Sequence, residues 1–222
     1  MCSLENEYHL LYPYDIETFP LIYEDCNRLT CSIDKYKKCE LVPDCPAYYP
    51  KKEKVENPHP VILDFFTTIS KRAVIYADCY MALSLSNSSF VVSPKLFNVL
   101  QNINIEGIQF VPAALLENNE EKYTDFWYIH TYNFLPVLSV KNSRYQMSNG
   151  RKISNNILEI KFNTKLDKIN LKNRLIFRFP LSRSYFIFHS SVVEKLFSVN
   201  PVGLRFIKVS EYNLPDTGKI LI

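Results

Sequence analysis

The stretch from Phe90 to Val111, FVVSPKLFNVLQNINIEGIQFV, decides the reading of the fold. Phe90-Val91-Val92 is aromatic and β-branched, which suits a strand. Ser93 can cap a helix, and Pro94 suits the first helical position because proline fixes φ and lacks the N–H that would be orphaned there. Leu96, Phe97 and Leu100 recur at helical spacing, and Gly107 frees the backbone before Ile108-Gln109-Phe110-Val111. The order is strand, helix, glycine stop, strand. It returns 96 residues later: Phe186-Ile187-Phe188 matches Phe90-Val91-Val92, Val192-Val193 matches Leu96-Phe97, Leu196 matches Leu100, Gly203 matches Gly107 and Phe206 matches Phe110. Two explanations fit, a structural repeat or two ordinary strand–helix–strand units that share a glycine by chance. One pair is far short of a solenoid signature.

Around this stretch the chain reads as a mixed globular protein. At 222 residues it suits one domain with a substantial extension, and such a length buries enough surface to need no disulfide or metal staple. The 15 Tyr and 15 Phe should supply much of the core. Only four glycines are present, at 107, 150, 203 and 218, and no two are close enough to make a phosphate-cradling loop. Nucleotide enzymes of those classes are thereby excluded. The start, MCSLENEYHL, has acids where a signal peptide would be basic, and no run of about 18 apolar residues follows anywhere. A cytoplasmic location with reduced cysteines is the expectation.

Charge is uneven. Residues 1–140 carry 11 Lys/Arg against 18 Asp/Glu, and residues 141–222 carry 15 against 5. The basic third could serve nucleic acid, but its residues are spread singly, and mutual complementation of the two parts is the preferred reading.

Residues 1–60 read as a first strand near Tyr8 to Tyr14 followed by an irregular, proline-punctuated extension, and residues 61–222 as the main domain. Cys26, Cys31, Cys39 and Cys45 fall in the extension, with gaps of four, seven and five residues and no CxxC pair. Zinc knuckles depend on such close pairs, so inert thiols are expected and no metal is assigned. Cys79 has no neighbouring His to activate it and reads as a buried thiol. Tyr123 to Val140 is the most aromatic stretch, either one long strand or two broken near Pro136, with Trp127, Tyr128 and Tyr132 core on one face. Asn149-Gly150 signals a hairpin. In Arg174 to Phe179, alternation puts Arg174, Ile176 and Arg178 on an outward face. Asp216-Thr217-Gly218 makes a last turn. No GxSxG, HExxH, Walker or EF-hand pattern occurs, and neither catalytic residues nor a cofactor are assigned.

The run Leu63-Asp64-Phe65, then Phe90 to Leu96, then Gly107 to Pro112, resembles a family of bacterial immunity proteins from polymorphic toxin systems, the group numbered eleven. The resemblance continues through Tyr128 to Ser143 and closes with Phe186-Ile187-Phe188 and Gly203-Leu204-Arg205-Phe206, covering about residues 60–209. It departs at Leu138-Ser139-Val140, where the family tends to carry an aspartate. The resemblance implies a non-enzymatic protein that binds a cognate toxin domain and blocks it. Within that frame the acidic loop and its aromatic neighbours, Glu117, Glu120, Glu121, Tyr123, Asp125 and Trp127, are the nominated partner-binding residues. A nucleic-acid-binding module using the basic final third is the alternative. The fold expected is α+β, a largely antiparallel sheet with two strand–helix–strand units packed on it and an irregular N-terminal extension.

Overall fold

The computed structural model describes residues 4–12, 22–23, 53–58, 61–65, 76–83, 88–117, 120–148, 151–180 and 182–214. Its strands are β1 (Tyr8–Leu11), β2 (Ile22–Tyr23), β3 (Val61–Phe65), β4 (Cys79–Leu83), β5 (Ser88–Val92), β6 (Ile108–Glu117), β7 (Glu120–Thr131), β8 (Arg144–Ser148), β9 (Arg151–Glu159), β10 (Ile176–Phe179), β11 (Ser182–His189) and β12 (Phe206–Lys208). Two eight-residue helices, α1 (Pro94–Gln101) and α2 (Ser190–Phe197), begin 96 residues apart. Pro94 opens α1 with Ser93 extended at the N-cap, while His189 caps α2 by accepting the Ser191 N–H on Nδ1 at 3.2 Å. After each helix the chain turns through a glycine with positive φ, +79° at Gly107 and +72° at Gly203. That conformation costs glycine nothing and a Cβ-bearing residue about 1 kcal/mol or more.

The α+β class and the antiparallel pairing hold, but the strands divide between two large sheets instead of one. The first is a closed barrel in the order β2-β3-β6-β7-β5-β4, and the second is a four-stranded sheet, β10-β11-β1-β12. The barrel contains the run β4-β5-β7-β6, which the second sheet copies strand for strand. In each copy a hairpin leads into a helix, and the strand after the helix runs parallel to the one before it with a middle strand between, a split βαβ arrangement. The row Val92–Trp127–Pro112 is repeated by Phe188–His9–Lys208, each outer residue shifted by 96. The repeat is therefore structural. The middle strands differ in origin: β7 follows β6 directly in a hairpin, whereas β1 arrives from the beginning of the chain.

Each sheet has an apolar cluster on either face. Between them lies a shared core in which Phe90 meets its own counterpart Phe186 edge to face at 5.0 Å, with Leu96 and Leu100 of α1 and Val192 and Leu196 of α2 around them. The barrel interior holds Tyr80, Val91, Val111, Phe126 and Tyr128. The outer face of the second sheet packs Tyr8, Leu10, Phe177, Phe179 and Ile187 against Val137, Ile157 and Tyr212, beneath the β8–β9 ribbon.

Three expectations are corrected by this layering. Trp127, Tyr128 and Tyr132 do not share a face: Trp127 lies against α1, Tyr128 points into the barrel, and Tyr132 falls beyond the strand end. Arg178 is 3% exposed, with its guanidinium over the Phe186 ring at 4.5 Å, and Arg174 donates to the Tyr8 hydroxyl at 3.0 Å. Neither arginine decorates an outward face, because β10 is covered on both sides. The long aromatic strand is single and ends at Thr131, ahead of Pro136. The hairpin signalled by Asn149-Gly150 is present in its flanks, Ser148 pairing with Arg151. Those two turn residues, the turn at residues 216–218 and the cysteines at 26, 31, 39 and 45 lie outside the described residues. Of the irregular extension, residues 53–58 lie across the barrel, where the Gln109 side chain both accepts from the Val55 N–H and donates to its carbonyl, each at 3.0 Å.

A buried carboxylate ties the copies together. Asp78 Oδ1 accepts from Ser93 Oγ at 2.6 Å and from the Tyr76 hydroxyl at 3.2 Å; Oδ2 accepts from the Val202 N–H at 2.8 Å and from Lys95 Nζ at 3.4 Å. The Asp78 N–H donates in turn to the Val202 carbonyl at 2.8 Å. Val202 follows α2, and Ser93 and Lys95 open α1, so one side chain clasps both helix–strand units. The position equivalent to Val202 is Glu106, whose N–H donates to the Lys172 carbonyl and whose carboxylate pairs with Lys172 Nζ, both at 3.0 Å.

Two stability predictions come from these contacts. A methyl on Gly107 would overlap Asn133 Cβ, and Asn133 is held by donating Nδ2 to the carbonyls of Asn173 and Ile176 at 2.8 Å. Gly107→Ala should cost about 2–4 kcal/mol in denaturant unfolding, well beyond a plain positive-φ penalty. Asp78→Ala should cost about 2–3 kcal/mol, since it leaves the buried Ser93 hydroxyl and the Val202 N–H without their acceptor. Burial alone would raise the Asp78 carboxyl, but the Ser93 hydroxyl, the Val202 N–H and Lys95 outweigh it and hold the group below the usual carboxylate range. Its stabilisation is thus complete above about pH 4 and lost as pH falls through the depressed value. Acid unfolding of Asp78→Asn should accordingly show a weaker pH dependence than the parent.

Candidate functional site

The two longest strands, β6 and β7, form one hairpin. Its register runs from Ile108 opposite Thr131 to Glu117 opposite Glu120. Alternation of apolar and polar residues holds for most of this length and sets Phe126 and Tyr128 toward the barrel interior. Towards its end β7 takes on extra residues. Phe126 pairs with Ala113 but Tyr123 with Leu115, and then Glu121 with Leu116. Such bulges re-aim side chains. Tyr123 consequently joins Phe126 and Tyr76, with ring centroids 5.5 Å from each.

The nominated residues are distributed along this hairpin. Glu117 and Glu120 form its last register pair and Glu121 is the next residue along β7. Tyr123 turns to the barrel-side aromatics, Asp125 is exposed, and Trp127 is half-buried in a parallel stack on Phe97, 4.0 Å between centroids and 8° between planes. Phe97 in turn meets Phe110 edge to face at 5.1 Å. From Glu117 to Trp127 the sequence has four carboxylates and one cation, Lys122. The hairpin end is therefore rich in acidic residue types.

Among the described residues, the other polar groups are engaged in hydrogen bonds and packing. Asp78 is the most heavily engaged carboxylate among the described residues. Its two oxygens already accept four hydrogen bonds, which leaves it no capacity for a substrate. The one sequence signal for it was Ser93 and Lys95 at a helix start, a place that attracts a carboxylate. Burial pushes the Cys79 thiol up to about 12, and a protonated thiol is a weak nucleophile. His130 Nε2 lies 3.0 Å from the Glu53 carbonyl, and its ring is buried. His189 serves as a helix cap, which requires an unprotonated Nδ1; burial lowers its pKa, with nearby Arg174 acting in the same sense. Among the described residues no group of three or more His, Cys, Asp or Glu could hold a metal ion. Nor, among them, is any helix long and apolar enough to cross a membrane.

Comparison with known proteins adds the decisive statement. No curated protein matches the chain significantly. The family described as the Immunity protein family (Imm11), however, matches residues 50–211, about three quarters of the sequence, a span that holds both helices, the acidic hairpin and every described strand except β1 and β2. The chain belongs to the Imm11 immunity protein family.

Proposed function

We propose that this protein binds a cognate secreted toxin domain inside the producing cell and inhibits it by covering the toxin's active site. It performs no reaction of its own. The observation that carries this reading, beyond family membership, is the β6–β7 hairpin, whose sequence from Glu117 to Trp127 holds four carboxylates and one cation. Such a surface suits a basic cleft of the kind that handles nucleic acid or nucleotides. Charge complementarity of this sort speeds encounter between partners and fixes their register. The scaffold behind the hairpin is suited to the task, because a buried shared core and the Asp78 clasp limit the reorganisation that binding would otherwise cost.

The nucleic-acid alternative is supported by nothing in the geometry. Its best candidates, Arg174 and Arg178, are engaged with Tyr8 and with the Phe186 ring. The polymorphic-toxin setting and a role in competition between bacteria belong to the same proposal.

Co-expression with the toxin domain encoded beside its gene should restore growth, and the two chains should co-purify. Reversing Glu117, Glu120 and Glu121 to lysine should lower the association rate at least tenfold at low salt and flatten its salt dependence, measured by stopped-flow mixing. An unchanged rate would remove the hairpin end from the interface.

A further inference from the structure

The duplication provides an internal control for the hairpin. At positions facing the shared core the two copies carry similar residues: Phe90 and Phe186, Leu96 and Val192, Leu100 and Leu196. Where the middle strand passes over the helix they part. Trp127, flanked by Val92 and Pro112, corresponds to His9, flanked by Phe188 and Lys208. Phe97 corresponds to Val193, the same position of the second helix. The second copy thus completes the same strand order with an imidazole and a valine where the first has two stacked rings. The Trp127–Phe97 pair is a near-parallel stack, 4.0 Å between centroids and 8° between planes, so one face of the indole is backed by a ring. The only tryptophan in the chain therefore occupies a half-exposed place where the architecture does not call for one.

Its surroundings indicate what would cover it. Pro112 beside it and Asp125 two residues before it are exposed, and the hairpin ends in Glu117, Glu120 and Glu121. In the second copy the position equivalent to Pro112 is Lys208, an exposed cation. Tryptophan is the residue type most often found as an energetic anchor at interfaces, and its ring face attracts cations. Resting on the reading of the chain as a toxin inhibitor, we infer that Trp127, backed by Phe97, is the anchor of the toxin interface. Its partner is a basic protein surface that sets an arginine or lysine side chain against the indole. The carboxylates steer that surface, and the stacked rings hold it.

The test imports the second copy's residues into the first. The double variant Trp127→His, Phe97→Val should stay folded, melting within a few degrees of the parent. Its affinity for the catalytically silenced toxin domain should fall about 30-fold or more, the loss typical of an interface anchor. Trp127→Leu, which keeps apolar area but removes the ring face, should lose about tenfold; affinity equal to the parent's would overturn the cation contact. Should the double variant fail to fold, the parent labelled with 5-fluorotryptophan decides the matter, because its single fluorine resonance must shift when the toxin domain is added. Parent binding with an unmoved resonance overturns the anchor and leaves the inhibitor reading intact. Absence of binding by the parent itself defeats that reading instead.

Discussion

Phe90 against Phe186 is the contact on which the architecture turns. Each ring stands on the strand that leads into its copy's helix, and the two occupy equivalent positions 96 residues apart. For them to meet, the two split βαβ units must face one another, with Leu96 and Leu100 of α1 and Val192 and Leu196 of α2 turned into the shared core. The helices are only two turns long, too short to be stable alone in water. Burial against both sheets and each other is what maintains them. A small helix layer between two sheets would be thin if each sheet had one wet face. Here the barrel interior and the β8–β9 side supply two further apolar clusters, so neither sheet depends on the central one alone.

The two copies are equivalent in strand order but not in chain order. In the first copy the middle strand is the second half of a hairpin, β7, and forms locally. In the second it is β1, whose residues precede the rest of that copy by about 170 positions. β1 also lies outside the span that matches the Imm11 family, although Tyr8 and Leu10 are buried at the heart of the third cluster. Closing such a long loop costs entropy that a local hairpin does not. The Arg174–Tyr8 hydrogen bond and the row Phe188–His9–Lys208 are what return for it.

Polar groups in the interior are used for fastening. Asp78 joins α1 to the loop after α2, Asn133 joins the end of β7 to β10, and Tyr185 and Tyr212 both donate to the Ile157 carbonyl. Satisfied networks of this kind specify one packing and leave few groups for chemistry.

Much of the local structure was legible without coordinates. The 3.6-residue spacing of Leu96, Phe97 and Leu100, Pro94 at the helix start and Gly107 and Gly203 at positive φ fixed both helices and both stops, because these signals depend only on near neighbours. The acidic hairpin was equally visible as a run of residue types. What the tertiary structure alone decided was which partner each element takes. Alternation alone puts the neighbours Trp127 and Tyr128 on opposite faces, and only the tertiary structure decided which of them meets α1 and which the barrel interior. Arg178 resembled a solubilising residue until Phe186 was placed under its guanidinium. Asp78 found its partner at Val202, 124 residues away, and no local pattern encodes a contact at that range.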